Sequence, residues 1–177
     1  QVKYEDFLAQ PKEMLKERAK TGNNTAPLLW MQNVKPYQIE YPLDKFDKPQ
    51  AISTNDSSLL MPNANYVLLR RFSAKEDKRR LVSAPFIGEQ FNFQLIGFEN
   101  HLNVIFKKHG TLSASEAIGL SALLNSAITD RYFRIVNGNT QVNAAELRIL
   151  PLPPLDVIKN IGVKLQKANN YVSEWVD

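Results

Sequence analysis

Asn65 to Phe86 reads NYVLLRRFSAKEDKRRLVSAPF, two short apolar runs (NYVLL and LVSAPF) around eleven residues dominated by charge. Both runs are rich in β-formers and bounded by turn residues, so the stretch predicts a hairpin. Its strands are Asn65 to Phe72 and Arg79 to Phe86, with a charged turn around Lys75 to Lys78. Six Lys or Arg against two Asp or Glu give Arg70 to Arg80 a charge of +4, equal to the formal net charge of the whole 177-residue chain. All of the excess therefore sits on one hairpin. Arg70, Arg71, Lys75, Lys78, Arg79 and Arg80 gathered there are either a solvated tip or a grip for a polyanion, nucleic acid first among them.

Outward from the hairpin the chain divides into strand-like and helix-like halves. Upstream, Leu28 to Val34 and Tyr37 to Tyr41 read as strands separated by Pro36, and Pro42 to Asn55 as a polar loop. Downstream, Phe91 to Phe98 and Leu102 to Lys107 are two more strand-length runs joined by Glu99-Asn100-His101. The period then changes. SASEAIGLSALLNSAITDRYF opens with Ser113 and Glu116 in capping-box spacing and carries apolar residues around most of a helix of about twenty residues, as a buried helix does. Gly119, in its middle, predicts close packing against a neighbour. The expected class is α+β: a mixed, mainly antiparallel sheet of about five or more strands, one buried helix and flanking terminal helices. Those terminal helices are Tyr4 to Lys20, ended by Gly22-Asn23-Asn24, and an amphipathic one from Leu155 with Val157, Ile158, Ile161, Leu165 and Ala168 on one face.

Between buried helix and closing helix runs VNGNTQVNAAELRILPLPP, Val136 to Pro154. Asn137-Gly138-Asn139 is turn chemistry that tolerates positive φ. Asn143 and Glu146 are spaced to start a short helix, and Pro151, Pro153 and Pro154 force an extended exit. Locally this is a capped turn and a stiff departure from the core.

Composition excludes several classes. With no cysteine there is neither a disulfide framework nor a thiolate metal site, and with two histidines a metal centre would need carboxylate help. A hydrolase built on His101 or His109 with Glu99 lacks any nucleophile motif. No apolar run approaches the roughly 20 residues of a membrane span, and the charged start is no signal peptide, so the expected location is cytoplasmic. A beginning at Gln1 on sequence of mid-protein character suggests a piece of a larger protein.

The order LLNSAITDRYF, NGNTQVN, AAELRILPLPPL and closing helix resembles the end of the target-recognition domain of adenine-specific DNA methyltransferases, the TaqI-like C-terminal specificity domain. TAPLLWMQNVKPYQIEYP and NYVLLRRFSAKEDKRRLVSAPF are similar to the same region, so the resemblance spans nearly the whole chain. It implies a connector over 1–24, a recognition domain over 25–154 and a closing helix over 155–177. It also implies a parent enzyme of a restriction-modification system, in some members with a fused endonuclease, that binds S-adenosylmethionine and methylates N6 of a flipped adenine in an upstream domain. That family's Asn/Asp-Pro-Pro-Tyr/Phe motif and cofactor loop are missing here, so the chain alone is expected to catalyse nothing: Pro153-Pro154 lies between Leu152 and Leu155, and the seven glycines are scattered. Under this resemblance double-stranded DNA is the partner. The six basic residues of the hairpin and Arg134 would meet phosphates, with Arg70 or Arg71 a candidate for guanine, while Asn139, Thr140, Gln141 and Asn143 supply the neutral groups that read bases, the amides by two-point contact to adenine. Arg131 is a further candidate for DNA contact, the alternative being that it balances Asp130 and the helix C-terminus. The competing expectation is a module that docks on a catalytic or nuclease partner through its terminal helices, Trp175 included, without reading DNA.

Overall fold

The computed structural model describes Leu8–Ala9 and residues 25–54, 57–74 and 76–173. Ten short strands precede four helices: β1 (Leu8–Ala9), β2 (Thr25–Leu29), β3 (Val34–Lys35), β4 (Gln38–Ile39), β5 (Ala51–Ser53), β6 (Leu60–Pro62), β7 (Tyr66–Arg70), β8 (Ser83–Phe86), β9 (Leu95–Phe98) and β10 (Leu102–Ile105), then α1 (Ala114–Leu124), α2 (Ala127–Val136), α3 (Ala144–Arg148) and α4 (Leu155–Ser173). One sheet has the order β1-β10-β7-β8, a second β5-β2-β9-β6, and β3 pairs with β4. Only β2 and β9 run parallel among the described pairs, which is the α+β, mainly antiparallel class expected.

The first sheet is apolar on both faces, and its alternation decides what lies on each. Val67 and Leu69 of β7 join Ile105, Leu81 and the helices, while Tyr66 and Leu68 of the same strand join Leu102, Val104, Phe86 and the second sheet. Three layers result, with β7 at the centre of two cores. Around Tyr66 the inter-sheet core is aromatic, with Phe98 at 5.7 Å edge-on and Phe86 stacked on Phe91 at 4.6 Å.

The expected hairpin forms as β7 and β8, with Tyr66 opposite Phe86 and Leu69 opposite Ser83. Its strands are shorter than expected because residues 71–81 leave the pairing, the last cross-strand bond being Arg70 N–H to Val82 O at 3.0 Å. The segment from Phe91 enters its strand only at Leu95, and β9 and β10 join different sheets. The loop after Pro42 contains β5, paired to β2.

The long helix is two. Asn125 ends α1 because its side chain turns back onto the sheet, donating to Ser83 O at 2.8 Å and accepting from Ser83 N–H at 3.1 Å. Ser126 then starts α2, its Oγ accepting from Thr129 N–H. At the head of α1 the expected capping box is present: Ser113 Oγ accepts from Glu116 N–H and Glu116 Oε2 from Ser113 N–H. Gly119 packs as the sequence predicts. A β-carbon built on it would stand 1.9 Å from Ile158 O, and one on Gly162 only 1.8 Å from Ser115 O, so α1 and α4 cross backbone to backbone. Among residues 155–168 of α4 the buried ones are Ile158, from the expected face, and Gly162, while Val157 and Leu165 from that face are 43% and 37% exposed and Ala168 is also exposed. The face toward α1 is set by where glycine allows contact rather than by the aliphatic count. Leu8–Ala9 pairs with β10 as strand, not helix, while the rest of the connector expected over 1–24 and Trp175 lie outside the described residues.

Candidate nucleic-acid interface

Beyond Arg70 the chain leaves β7 and its next residues find a new partner. Val142 N–H donates to Arg71 O at 2.7 Å, Ser73 N–H to Thr140 O at 3.1 Å, and Phe72 bridges Gln141 antiparallel. The basic loop and the amide stretch, about 70 residues apart in sequence, thus form one rim. Asn103 of β10 fixes the stretch from beneath, its buried amide donating to Val142 O at 2.9 Å. Asn137 holds the turn: its Oδ1 accepts from Asn139 N–H at 2.7 Å and its Nδ2 donates to Gln141 O and to Glu146 Oε2. No residue of Asn137-Gly138-Asn139 has positive φ, because the Asn137 side chain closes the turn that left-handed backbone was expected to close. Glu146 Oε2 also accepts from Asn143 N–H, so α3 starts as its spacing predicts.

The basic residues separate sharply. Arg80 is 2% exposed; it donates through Nε to Ser73 Oγ at 2.9 Å and through Nη2 to Asn139 O, with Phe133 under its guanidinium at 5.9 Å. It is withdrawn from any phosphate grip and ties the rim together from inside, which corrects the sequence expectation. Arg70 is half-buried, with Nε donating to Val34 O at 2.8 Å; burial pushes its pKa down, against the pull of Asp77. Arg71 donates to Asn100 O at 3.2 Å through Nη1, and its Nε and Nη2 both meet the Gln141 side chain. Arg79 is half-buried and Lys78 exposed, while Lys75 lies outside the described residues.

Arg134, not Arg131, balances Asp130. Its Nε donates to Asp130 Oδ2 at 2.8 Å and its Nη2 to Asp77 O at 2.7 Å, tying α2 to the tip of the basic loop. Asp77 in turn accepts from Ala74 N–H at 2.8 Å and closes that tip. Asp130 Oδ1 accepts from the backbone N–H of Arg80 at 2.6 Å. Burial alone would raise the Asp130 pKa, but the Arg134 bond, the N–H groups of Arg80 and Leu81 and the Arg134 charge together hold it below its ordinary value.

The outer surface of the rim thus presents Lys78, Arg131, Arg134, Asn139 and Thr140, with Gln141 and Asn143 half-buried beside them. Two residues the sequence reading did not place there join them. Phe72, 37% exposed, lies 5.1 Å from the His101 ring, and His101 Nδ1 meets the buried Glu99 carboxylate at 2.5 Å. The signal was an aromatic inside a basic run, a pattern suited to stacking beside phosphate contact. His101 and Glu99 form an orienting pair beside a ring, with no nucleophile near them in the contacts described.

S-adenosylmethionine, which the family resemblance implies, finds no cradle among the described residues. Gly110 stands alone in the only strand-to-helix connection, Gly88 packs on Asn63, and Gly119 and Gly162 are taken up at the helix crossing. No cluster of three His, Asp or Glu suited to a metal occurs among the described residues, and no helix there is long and apolar enough to cross a membrane.

No protein-family profile matches the chain. Over 153 residues, 85% of its length, it is 42% identical to the type II methyltransferase M.BsuBI of Bacillus subtilis, and that stretch is 30% of the relative. Over 142 residues, 79% of its length, it is 39% identical to the type II methyltransferase M.PstI of Providencia stuartii, there covering 28%. The chain is therefore homologous to one portion of these type II methyltransferases, a portion that makes up less than a third of either.

Proposed function

We propose that this chain is the DNA-recognition portion of an adenine-specific methyltransferase of a restriction-modification system, reading duplex DNA for a catalytic portion that binds S-adenosylmethionine. The observation that carries this reading is the rim itself, where a basic loop and an amide stretch far apart in sequence are joined by backbone hydrogen bonds. The likeness to a stretch of two type II methyltransferases supplies the enzyme class. On this reading Lys78, Arg79, Arg131 and Arg134 contact phosphates, residues 139–143 face base edges, and Phe72 with His101 packs against the duplex. The TaqI-like assignment and the division at 24/25 and 154/155 belong to the same proposal, with 1–24 as connector and 155–177 as closing helix.

Duplex affinity measured against salt tests it. Wild type should lose affinity steeply as salt rises, and the Lys75→Ala, Lys78→Ala, Arg79→Ala variant should bind more weakly with a shallower slope, by about one unit per lost phosphate contact. Equal affinity and slope in wild type and variant would remove the rim from DNA binding.

One observation favours docking instead. Ile128 and Ile135, 82% and 84% exposed, lie seven residues apart on α2 and so on one side of it. A chain that binds no duplex, but whose Ile128→Ser, Ile135→Ser variant loses binding to the catalytic portion, would establish that reading.

A further inference from the structure

The Arg71–Gln141 pair says more about recognition than the residue types alone. Arg71 presents only donors to the Gln141 amide, so the amide oxygen faces the guanidinium and accepts from Nε and Nη2, each at 2.7 Å. Arg71 Nη1 donates to Asn100 O, so each of the three guanidinium nitrogens has a bond within the chain. The backbone of Gln141 is fixed as well, its carbonyl accepting from Asn137 Nδ2 and its position bridged to Phe72. The glutamine is therefore locked at both ends.

From this geometry we infer that Gln141 is an oriented hydrogen-bond donor that reads an acceptor on a base edge, with Arg71 as the positioning residue that turns it. A carboxamide NH2 carries two N–H groups. In that orientation Asn143 lies 3.2 Å from the same amide oxygen and takes neither of them, so both stay available at the half-buried side chain. With its oxygen occupied, Gln141 cannot make the two-point contact to adenine that needs a free acceptor and a free donor. It is matched instead to a single acceptor, N7 of either purine, O6 of guanine or O4 of thymine in the major groove. Arg71, turned inward to Gln141 and Asn100, acts here by positioning Gln141.

This inference rests on the proposed reading of DNA, and one experiment separates the two. The full chain is mixed with duplexes carrying a randomised core, and the bound fraction is sequenced. Wild type should enrich a motif. Gln141→Glu keeps an oxygen toward Arg71 but turns the outward donor into an acceptor. It should reverse preference at one position of the motif, from an acceptor-bearing to a donor-bearing edge, by about tenfold, and leave the other positions alone. Arg71→Lys, which lacks the fork, should flatten preference at that same position. Gln141→Glu enriching the wild-type motif, or losing preference evenly at every position, would overturn the oriented donor. A change confined to one position in Gln141→Glu but absent in Arg71→Lys would overturn the positioning role. No enrichment by wild type would overturn the DNA-reading proposal itself, and this inference with it.

Discussion

At the crossing of α1 and α4 the contact is main chain against main chain, Gly119 toward the Ile158 carbonyl and Gly162 toward the Ser115 carbonyl. At the rim, guanidinium and amide groups bridge backbone segments: Arg80 to Asn139 O, Asn103 to Val142 O, Asn137 to Gln141 O. The crossing has no room for even one added carbon. The rim encloses polar groups that each need a partner, so it fails by losing a bond rather than by crowding. One chain thus uses steric exclusion to set its helix layer and hydrogen-bond satisfaction to set its candidate interface.

The largest effect should come from the crossing. Gly119→Ala or Gly162→Ala should destabilise by about 3 kcal/mol or more in denaturant unfolding, although alanine is favoured over glycine in a helix by about 1 kcal/mol. A variant as stable as wild type would show that the helices separate without penalty. Next comes the buried guanidinium. Arg80→Met leaves Asn139 O and the Ser73 hydroxyl without their donor and should cost about 2 to 4 kcal/mol, and Arg80→Lys should recover little. If Arg80→Met unfolds like wild type, the rim is not held from inside.

Asp130 sharpens the contrast through pH. Its pKa is lowered in the folded chain, as is that of Glu116, where burial is outweighed by bonds from Lys107 and Ser113. A lowered folded pKa means stability that is full above the unfolded value and lost as pH falls through the folded one. Melting temperature should therefore drop as pH falls from about 4 downward. Asp130→Asn should cost about 1 to 3 kcal/mol near neutrality and remove part of that acid loss. An undiminished acid loss in Asp130→Asn would remove that carboxylate from the account. Smallest of all, Lys78→Ala should leave stability within about 0.5 kcal/mol, because the side chain is exposed; on the proposed reading it should instead weaken duplex binding and lower its salt slope.

These regions also differ in how legible they are from sequence. The β-formers of NYVLL and LVSAPF, the Ser113–Glu116 spacing and the mid-helix Gly119 each encode a local geometry, and each appears as read. The break at Asn125-Ser126 was written in cap residues, but an apolar circumference on both sides hid it. What sequence spacing does not carry is which distant backbone a polar side chain will satisfy. Arg80 looks like Arg79 in a basic run, yet one is buried over Phe133 and the other lies nearer the surface. Periodicity likewise grouped Val157 and Leu165 with Ile158 on one face of α4, whereas the backbone contact at Gly162 turns the helix so that Ile158 is buried and Val157 and Leu165 are partly exposed.

The bridge of Phe72 to Gln141, with its flanking bonds at Arg71–Val142 and Ser73–Thr140, is made of peptide groups. A seam of that kind is indifferent to the side chains it carries. Asn139, Thr140, Glu76 and Lys78, all exposed, can be rewritten in combination while their Cα positions stay put. This makes the rim a mounting on which a library of surface residues can be screened without rebuilding the scaffold.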